Sequence, residues 1–136
     1  MRIVILHFLD TENKKHSEIL KKLSSSATTN GHQVDMVNGF KDASTFRITG
    51  YEYVALVVAG KNPFSGKFSP KVTEVLTSSG TASGKKGCAL AVKNFLFSQK
   101  LCQNLMQAME KEGMLLDYFD IIESSDHATY VGKKLG

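Results

Sequence analysis

Four short apolar runs, separated by segments with helical periodicity, constrain the fold of this chain more than any other feature. The runs lie at residues 3–9, 54–59, 88–92 and 115–122. Near-continuous apolar runs are typical of strands buried on both faces of a sheet, and helices between them are the usual connection for parallel strands. We therefore expect an open α/β sheet, in which ligands bind at the carboxyl ends of the strands.

The segments between these runs complete a strict alternation of five strands with about five helices. A first helix is expected at about residues 11–29, because Ile19, Leu20, Leu23 and Ala27 share one helical face and Asn30-Gly31 is a plausible stop. A second, more polar strand at residues 34–38 suits a sheet edge, and weak periodicity at residues 39–50 allows one short helix around 43–48. This alternation favours a doubly wound parallel sheet of order 2-1-3-4-5 with helices on both faces.

The later connections carry clear helix signals. Ser69-Pro70 is a good helix start, followed by a buried stripe of Val72, Val75 and Leu76. A strong helix is expected to end at Gly113, and Ser124, Ser125 or Asp126 could cap a final one. The turn at residues 80–87 lies at the amino end of the next strand, which is the wrong edge for a ligand.

Composition predicts one domain, residues 1–136, without membrane or nucleic-acid contacts. The formal charge is +4, but the lysine pairs at 14/15, 21/22, 85/86 and 133/134 are scattered and no aromatic residues are interleaved with them. No apolar run approaches the roughly 20 residues of a membrane span, and no export signal is visible, which predicts a cytoplasmic protein. Cys88 and Cys102 are expected to be small buried hydrophobes.

Several activities lack the residues that they need. The four histidines (His7, His16, His32 and His127) do not share metal-ligand spacing, so no metal site is expected. A phosphoacceptor receiver domain needs an aspartate at the end of the third strand, where this chain has Ala59-Gly60. Ser65 lies outside a Gly-x-Ser-x-Gly elbow, and the dinucleotide fingerprint is missing. No catalytic side chain is nominated.

Four segments resemble the flavodoxin-like family over nearly the whole chain. Residues 51–60 (YEYVALVVAG) look like its third strand, 68–72 (FSPKV) like the helix start after its second flavin-binding loop, 84–90 (GKKGCAL) like its entry into the fourth strand, and 130–135 (YVGKKL) like its closing helix. The resemblance implies that the carboxyl edge of the sheet binds flavin mononucleotide (FMN) through three loops. The flavin phosphate then lies on backbone amides at the start of the first helix.

The first of these loops, residues 9–14 (loop one), departs from the family pattern Ser/Thr-x-Thr-Gly-Asn-Thr. It reads Leu9-Asp10-Thr11-Glu12-Asn13-Lys14, so that only Thr11 and Asn13 match. Glu12 replaces a glycine that lets the backbone approach the phosphate, and it adds a negative charge beside a near-dianion. Lys14 and Lys15 could neutralise the phosphate in another way, although lysine provides a point charge and not a fitted cradle. Glu12 could equally be an ordinary first-turn acid that the helix dipole stabilises.

The other two loops keep the character that a flavin ring needs. Residues 60–67 (loop two) supply Gly60 for close approach, a turn at Lys61-Asn62-Pro63 and Phe64 as a stacking face. Residues 93–97 (loop three) supply Lys93-Asn94 with backbone amides for the polar edge of the ring, and Phe95 or Phe97 for its other face. Such aromatics are also often folded back onto a core.

Two functional hypotheses follow. The first is an FMN-dependent electron carrier or small oxidoreductase with a redox protein partner, in which the flavin carries the electrons and the protein tunes the ring. The second is a flavin-free module that uses the same edge for a protein partner or another small anion. Glu12 and the positive charge balance motivate the second hypothesis, because flavodoxin-like electron carriers usually have acidic surfaces. The first makes the sharper prediction and is the one favoured here.

Overall fold

The computed structural model describes residues 1–136, which form a five-stranded parallel sheet in the order β2-β1-β3-β4-β5. The strands are β1 (Arg2–Phe8), β2 (Gln33–Asn38), β3 (Tyr53–Val58), β4 (Lys86–Val92) and β5 (Leu115–Ile122). The helices are α1 (Lys14–Thr29), α2 (Lys71–Ser78), α3 (Ser98–Lys111) and α4 (Ser125–Gly132). The expected fold class and strand order are confirmed.

Burial explains why the central strands read as apolar runs. Almost every residue of β1, β3 and β4 is buried, because helices cover both faces of the sheet. Alternate residues of β1 enter different cores: Val4 and Leu6 pack toward α2 and α3, whereas Ile3 and Ile5 pack toward α1 and α4. The polar strand β2 lies at one sheet edge, as its sequence predicted.

The prediction of a short helix around residues 43–48 is wrong. The segment makes one turn, in which the Asp42 carbonyl accepts the N–H groups of Thr45 and Phe46, and a 3-10 turn follows at Ile48–Gly50. Arg47 between them is extended, with φ −131° and ψ 114°. This arrangement sends Phe46 and Ile48 into the core with the spacing of a strand, so the chain has four α-helices and not five.

The first helix also begins later than residue 11. The Asn13 side chain caps it by accepting the N–H of His16 at 3.2 Å, which leaves residues 9–13 outside the helix. The remaining helix signals were confirmed. Gly113 has a φ of +83° at the end of α3, and the Ser124 hydroxyl caps α4. No helix of the chain has both the length and the apolar character that crossing a membrane requires.

Candidate functional site

The carboxyl ends of β1, β3 and β4 bring the three predicted loops to one edge of the sheet. In the parallel register Phe8 pairs with Val58, and Val58 pairs with Ala91, so all three strands end at the same level. Loops one, two and three leave the sheet there. The geometry confirms that the three loops are neighbours.

Asp10 accepts hydrogen bonds from two backbone N–H groups of loop one. The Asp10 carboxylate accepts the N–H of Glu12 at 3.0 Å, and the Asp10 carbonyl accepts that of Asn13 at 3.0 Å. The first-turn N–H groups of Lys14 and Lys15 have no partner within the helix and point out from its positive end. The first turn carries no acidic residue, so both lysines oppose the helix dipole. This arrangement favours an anion at the start of α1.

Two histidines lie beneath loop one. His7 is 2% exposed and its Nδ1 accepts the N–H of Leu9 at 3.4 Å, and burial lowers the pKa of His7 to about 4. His16 is half-buried, its Nδ1 has no hydrogen-bond partner, and burial also lowers its pKa. Both rings are therefore neutral near pH 7, and they add no positive charge to the edge.

Loop two is a closed turn built around Asn62. The Asn62 side-chain oxygen accepts the N–H of Phe64 at 2.9 Å, and its carbonyl accepts that of Ser65 at 3.2 Å. Farther out, the N–H of Lys61 donates to the carbonyl of Lys67 at 3.0 Å. These bonds hold Phe64 on the outside of the loop, where its ring is exposed.

Loop three is tied directly to loop two. The Asn94 amide nitrogen donates to the carbonyls of Asn62 at 3.0 Å and Ser65 at 2.9 Å, and the N–H of Leu96 donates to the carbonyl of Pro63 at 3.0 Å. A Cβ at Gly60 would lie 2.5 Å from that Asn94 nitrogen, so only glycine leaves room for the tie. The rings of Phe64 and Phe95 meet edge to face, 5.5 Å apart.

The space left between the three loops is small. A cavity of 260 Å³ lies between the start of α1 and the ends of β3 and β4, below the roughly 300–1,000 Å³ of common ligand pockets. A larger depression of 680 Å³ lies along α1 beside β2, away from loops two and three, and most of its lining residues are serines and threonines. The residues that line the smaller cavity are Asn13, His16, Ala59, Gly60, Asn62, Pro63, Val92, Lys93 and Asn94.

Of the predicted site residues, six line this cavity and five do not. The six are Asn13, Gly60, Asn62, Pro63, Lys93 and Asn94. Lys61, Phe64 and Phe95 are exposed outside it, Thr11 lines the depression beside β2, and Lys14 lies with Lys15 in a separate depression beside Glu18 and Glu123. Sequence reasoning missed His16, whose position three residues after the capping Asn13 was the available signal. It also missed that the Asp10 carboxylate would accept a hydrogen bond from the backbone N–H of Glu12, which leaves that N–H unable to bind a ligand.

Flavin mononucleotide can be tested against these residues. The free first-turn amides, Lys14 and Lys15 suit a phosphate, and two exposed phenylalanines offer stacking faces for a flat ring once their edge-to-face contact is broken. Asp10 and Glu12 oppose the phosphate, because they place two carboxylates in loop one. The donor set therefore fits a phosphorylated aromatic ligand, whereas the volume requires loops two and three to separate.

The sheet order, with helices on both faces, defines the class of fold: it is the flavodoxin-like α/β fold. Solved flavodoxins match it over nearly the whole chain. A flavodoxin from the domain Archaea has a TM-score of 0.71 and 11% identity, covering 98% of this chain and 95% of that one. Flavodoxin 1 from Bacillus cereus has a TM-score of 0.69 and 10% identity, covering 97% and 95%. Flavodoxin from Megasphaera elsdenii has a TM-score of 0.67 and 12% identity, covering 97% and 98%.

No family model matches the sequence, and no curated protein matches it either. At identities near a tenth, the likeness to solved structures establishes the fold and nothing finer. A shared fold does not imply a shared ligand, so the function has to be argued from the site.

Proposed function

We propose that this protein binds flavin mononucleotide at the carboxyl edge of its sheet and transfers electrons to or from a protein partner. The carrying observation is that one sheet edge combines a helix start bearing Lys14 and Lys15 with two exposed rings in edge-to-face contact, Phe64 and Phe95. The structural likeness to flavodoxins supports the proposal at the level of the fold.

Each end of the site has a distinct task in this proposal. At the phosphate end, the amides of Lys14 and Lys15, their ammonium groups and the Thr11 hydroxyl would hold the anion, while Asn13 keeps α1 capped. Lysines at this position cost stability without an anion, about 0.3–1 kcal/mol each, because they oppose the helix dipole. A bound phosphate would offset this repulsion, because it attracts both the ammonium groups and the positive end of the helix.

At the ring end, Phe64 and Phe95 would stack on the two faces of the flavin, once loops two and three have separated. Gly60 and Asn62-Pro63 line the cavity from loop two, and Lys93-Asn94 line it from loop three. Lys61 is exposed beside them. The flavin supplies the electron-carrying chemistry when bound, and the protein positions it and limits access by water.

A fluorescence titration with matched charge variants tests the proposal. Added protein is expected to quench FMN, whereas Lys14→Glu/Lys15→Glu is expected to weaken binding at least about tenfold, the equivalent of about 1.4 kcal/mol. Lys21→Glu/Lys22→Glu makes the same charge change farther along α1, on residues that are also exposed, and is expected to stay close to wild type. The affinity for riboflavin, which lacks the phosphate, is expected to change little in either double variant.

The outcomes separate the alternatives. Loss of FMN affinity in both double variants would indicate a general charge effect and not a phosphate-binding site at the start of α1. Absence of quenching at any FMN concentration would contradict the proposal.

A flavin-free interaction module is the second candidate. It is favoured by the closed state of the edge: the Asp10 carboxylate already accepts the N–H of Glu12, and Asn94 already bridges to loop two. In this alternative the same edge is a rigid platform for another macromolecule. A protein that does not bind FMN but retains a docking activity at loops two and three would favour it.

A further inference from the structure

Four apolar side chains are displayed side by side on loops two and three. The exposed fractions are 64% for Phe64, 75% for Phe95, 44% for Leu96 and 57% for Phe97, and we name these four residues the aromatic patch. Phe64 packs against Phe95, Leu96 is hydrogen-bonded to loop two, and the Phe97 Cβ lies beside Gly66. Clustered exposure of this kind marks an interaction site more often than scattered apolar residues do.

Phe97 combines a strained, left-handed backbone with an exposed ring. Phe97 is the only non-glycine residue with positive φ, at 63°, a left-handed conformation that costs an L-residue roughly 1–2 kcal/mol. It is also the N-cap of α3 and makes no side-chain cap hydrogen bond. Asparagine would suit both roles better. Strain of this kind clusters at binding sites, where the surroundings hold it in place.

The patch is bordered by positive charge. Lys61, Lys67, Lys93 and Lys100 lie on loops two and three or at the start of α3, and Glu74 is the single acidic residue between positions 53 and 109. Only Lys93 of these four lysines has an ion-pair partner, Glu123 at 3.1 Å. An apolar centre with a charged rim is the usual anatomy of a protein interface.

We propose that the aromatic patch docks an acidic protein surface whose own apolar side chains insert between Phe64 and Phe97. The charge complementarity commits the partner to this class, because Lys61, Lys67 and Lys100 form no ion pair within the chain. The proposal concerns the flavin-free protein, because a flavin bound as proposed above would occupy the faces of Phe64 and Phe95.

The distribution of acidic residues favours a protein over an anionic membrane. Asp10, Glu12 and Glu123 lie at the same edge of the sheet as the patch, in the segments that follow β1 and β5. A flat anionic bilayer approaching this edge would meet those carboxylates together with the lysines. A protein surface can match the two charge regions separately.

The test uses a synthetic amphipathic peptide of glutamate and leucine, titrated into 15N-labelled protein without flavin. We expect the largest amide shifts at Phe64, Leu96 and Phe97, and none with a peptide in which lysine replaces every glutamate. Phe97→Asn is expected to weaken binding about tenfold, the loss typical of a central interface side chain, while leaving thermal stability unchanged or higher. Phe119→Asn, which removes a similarly exposed ring on β5, is expected to leave binding unchanged.

Two results would overturn the proposal. One is peptide binding that maps elsewhere or that survives Phe97→Asn. The other is binding to phosphatidylcholine vesicles containing phosphatidylserine without any binding of the acidic peptide, which would assign the patch to a membrane. Because every arm is run without flavin, a failed FMN titration leaves this proposal standing, and its failure leaves the flavin proposal standing.

Discussion

The contact between Gly60 and Asn94 gives the sharpest quantitative test of how loops two and three are held together. The backbone of Gly60 is not in the left-handed region, so alanine is acceptable there by conformation alone. The obstacle is steric, because the added Cβ would lie 2.5 Å from the Asn94 amide nitrogen. That nitrogen donates to two carbonyls, those of Asn62 and Ser65.

Gly60→Ala is therefore expected to break both hydrogen bonds. Two such bonds contribute about 1–3 kcal/mol, and the smaller entropy of an unfolded chain with alanine returns about 0.4–1 kcal/mol. The expected net loss is about 1–2 kcal/mol in the free energy of unfolding, measured by urea denaturation. Gly50→Ala is the matched control, because nothing lies within 4 Å of its added Cβ.

A double-mutant cycle identifies the cause of this loss. Asn94→Ala removes the same two bonds, so Gly60→Ala is expected to cost little in that background, with a coupling of about 1 kcal/mol. Full additivity would refute the reasoning, because it would place the clash on the carbonyl oxygens of Ser65 and Asn62, 3.0 and 3.2 Å from the added Cβ.

Three further measurements follow from the buried groups and the caps. Burial lowers the pKa of His7 from 6.5 to about 4, so between these two pH values the imidazole is protonated in the unfolded chain and neutral in the folded one. The contribution of His7 to the free energy of unfolding is therefore complete above about pH 6.5 and falls by about 2–3 kcal/mol toward pH 4.5. Urea denaturation of His7→Gln is expected to lack this loss. Burial raises the pKa of Cys88 to about 12 and that of Cys102 to about 11, so neither thiol is expected to react with iodoacetamide at pH 8 until urea unfolds the protein. Ser124→Ala removes the hydroxyl that accepts the N–H of His127 and is expected to cost about 1 kcal/mol in thermal denaturation, whereas Ser125→Ala leaves that cap in place.

The fold was predictable from this sequence because its central strands are buried on both sides. Burial on both faces forces apolar side chains at nearly every position of β3 and β4, so the strands stand out without any alignment. The last strand, Leu115–Ile122, was predicted at its observed bounds. The segment at residues 43–48 was not predictable, because the inward direction of Phe46 and Ile48 depends on the core that they enter.

The meeting of the three loops at one sheet edge was predictable, but the hydrogen bonds that tie loop three to loop two were not. Parallel strands necessarily bring their following loops to one edge, which places loops one, two and three together. The bond from Asn94 to Asn62 joins residues 32 positions apart, and no local pattern indicates it. The exposure of Leu96 and Phe97 likewise depends on loop two already occupying the space beneath them.

The central claim is that the start of α1 and the rings of Phe64 and Phe95 form one ligand site, and an amide-resolved FMN titration tests it most directly. The account predicts that FMN shifts the amides of Lys14 and Lys15 together with those of Phe64 and Phe95, along a single saturation curve. Shifts confined to the depression beside β2, or no shifts at all at saturating FMN, would contradict it.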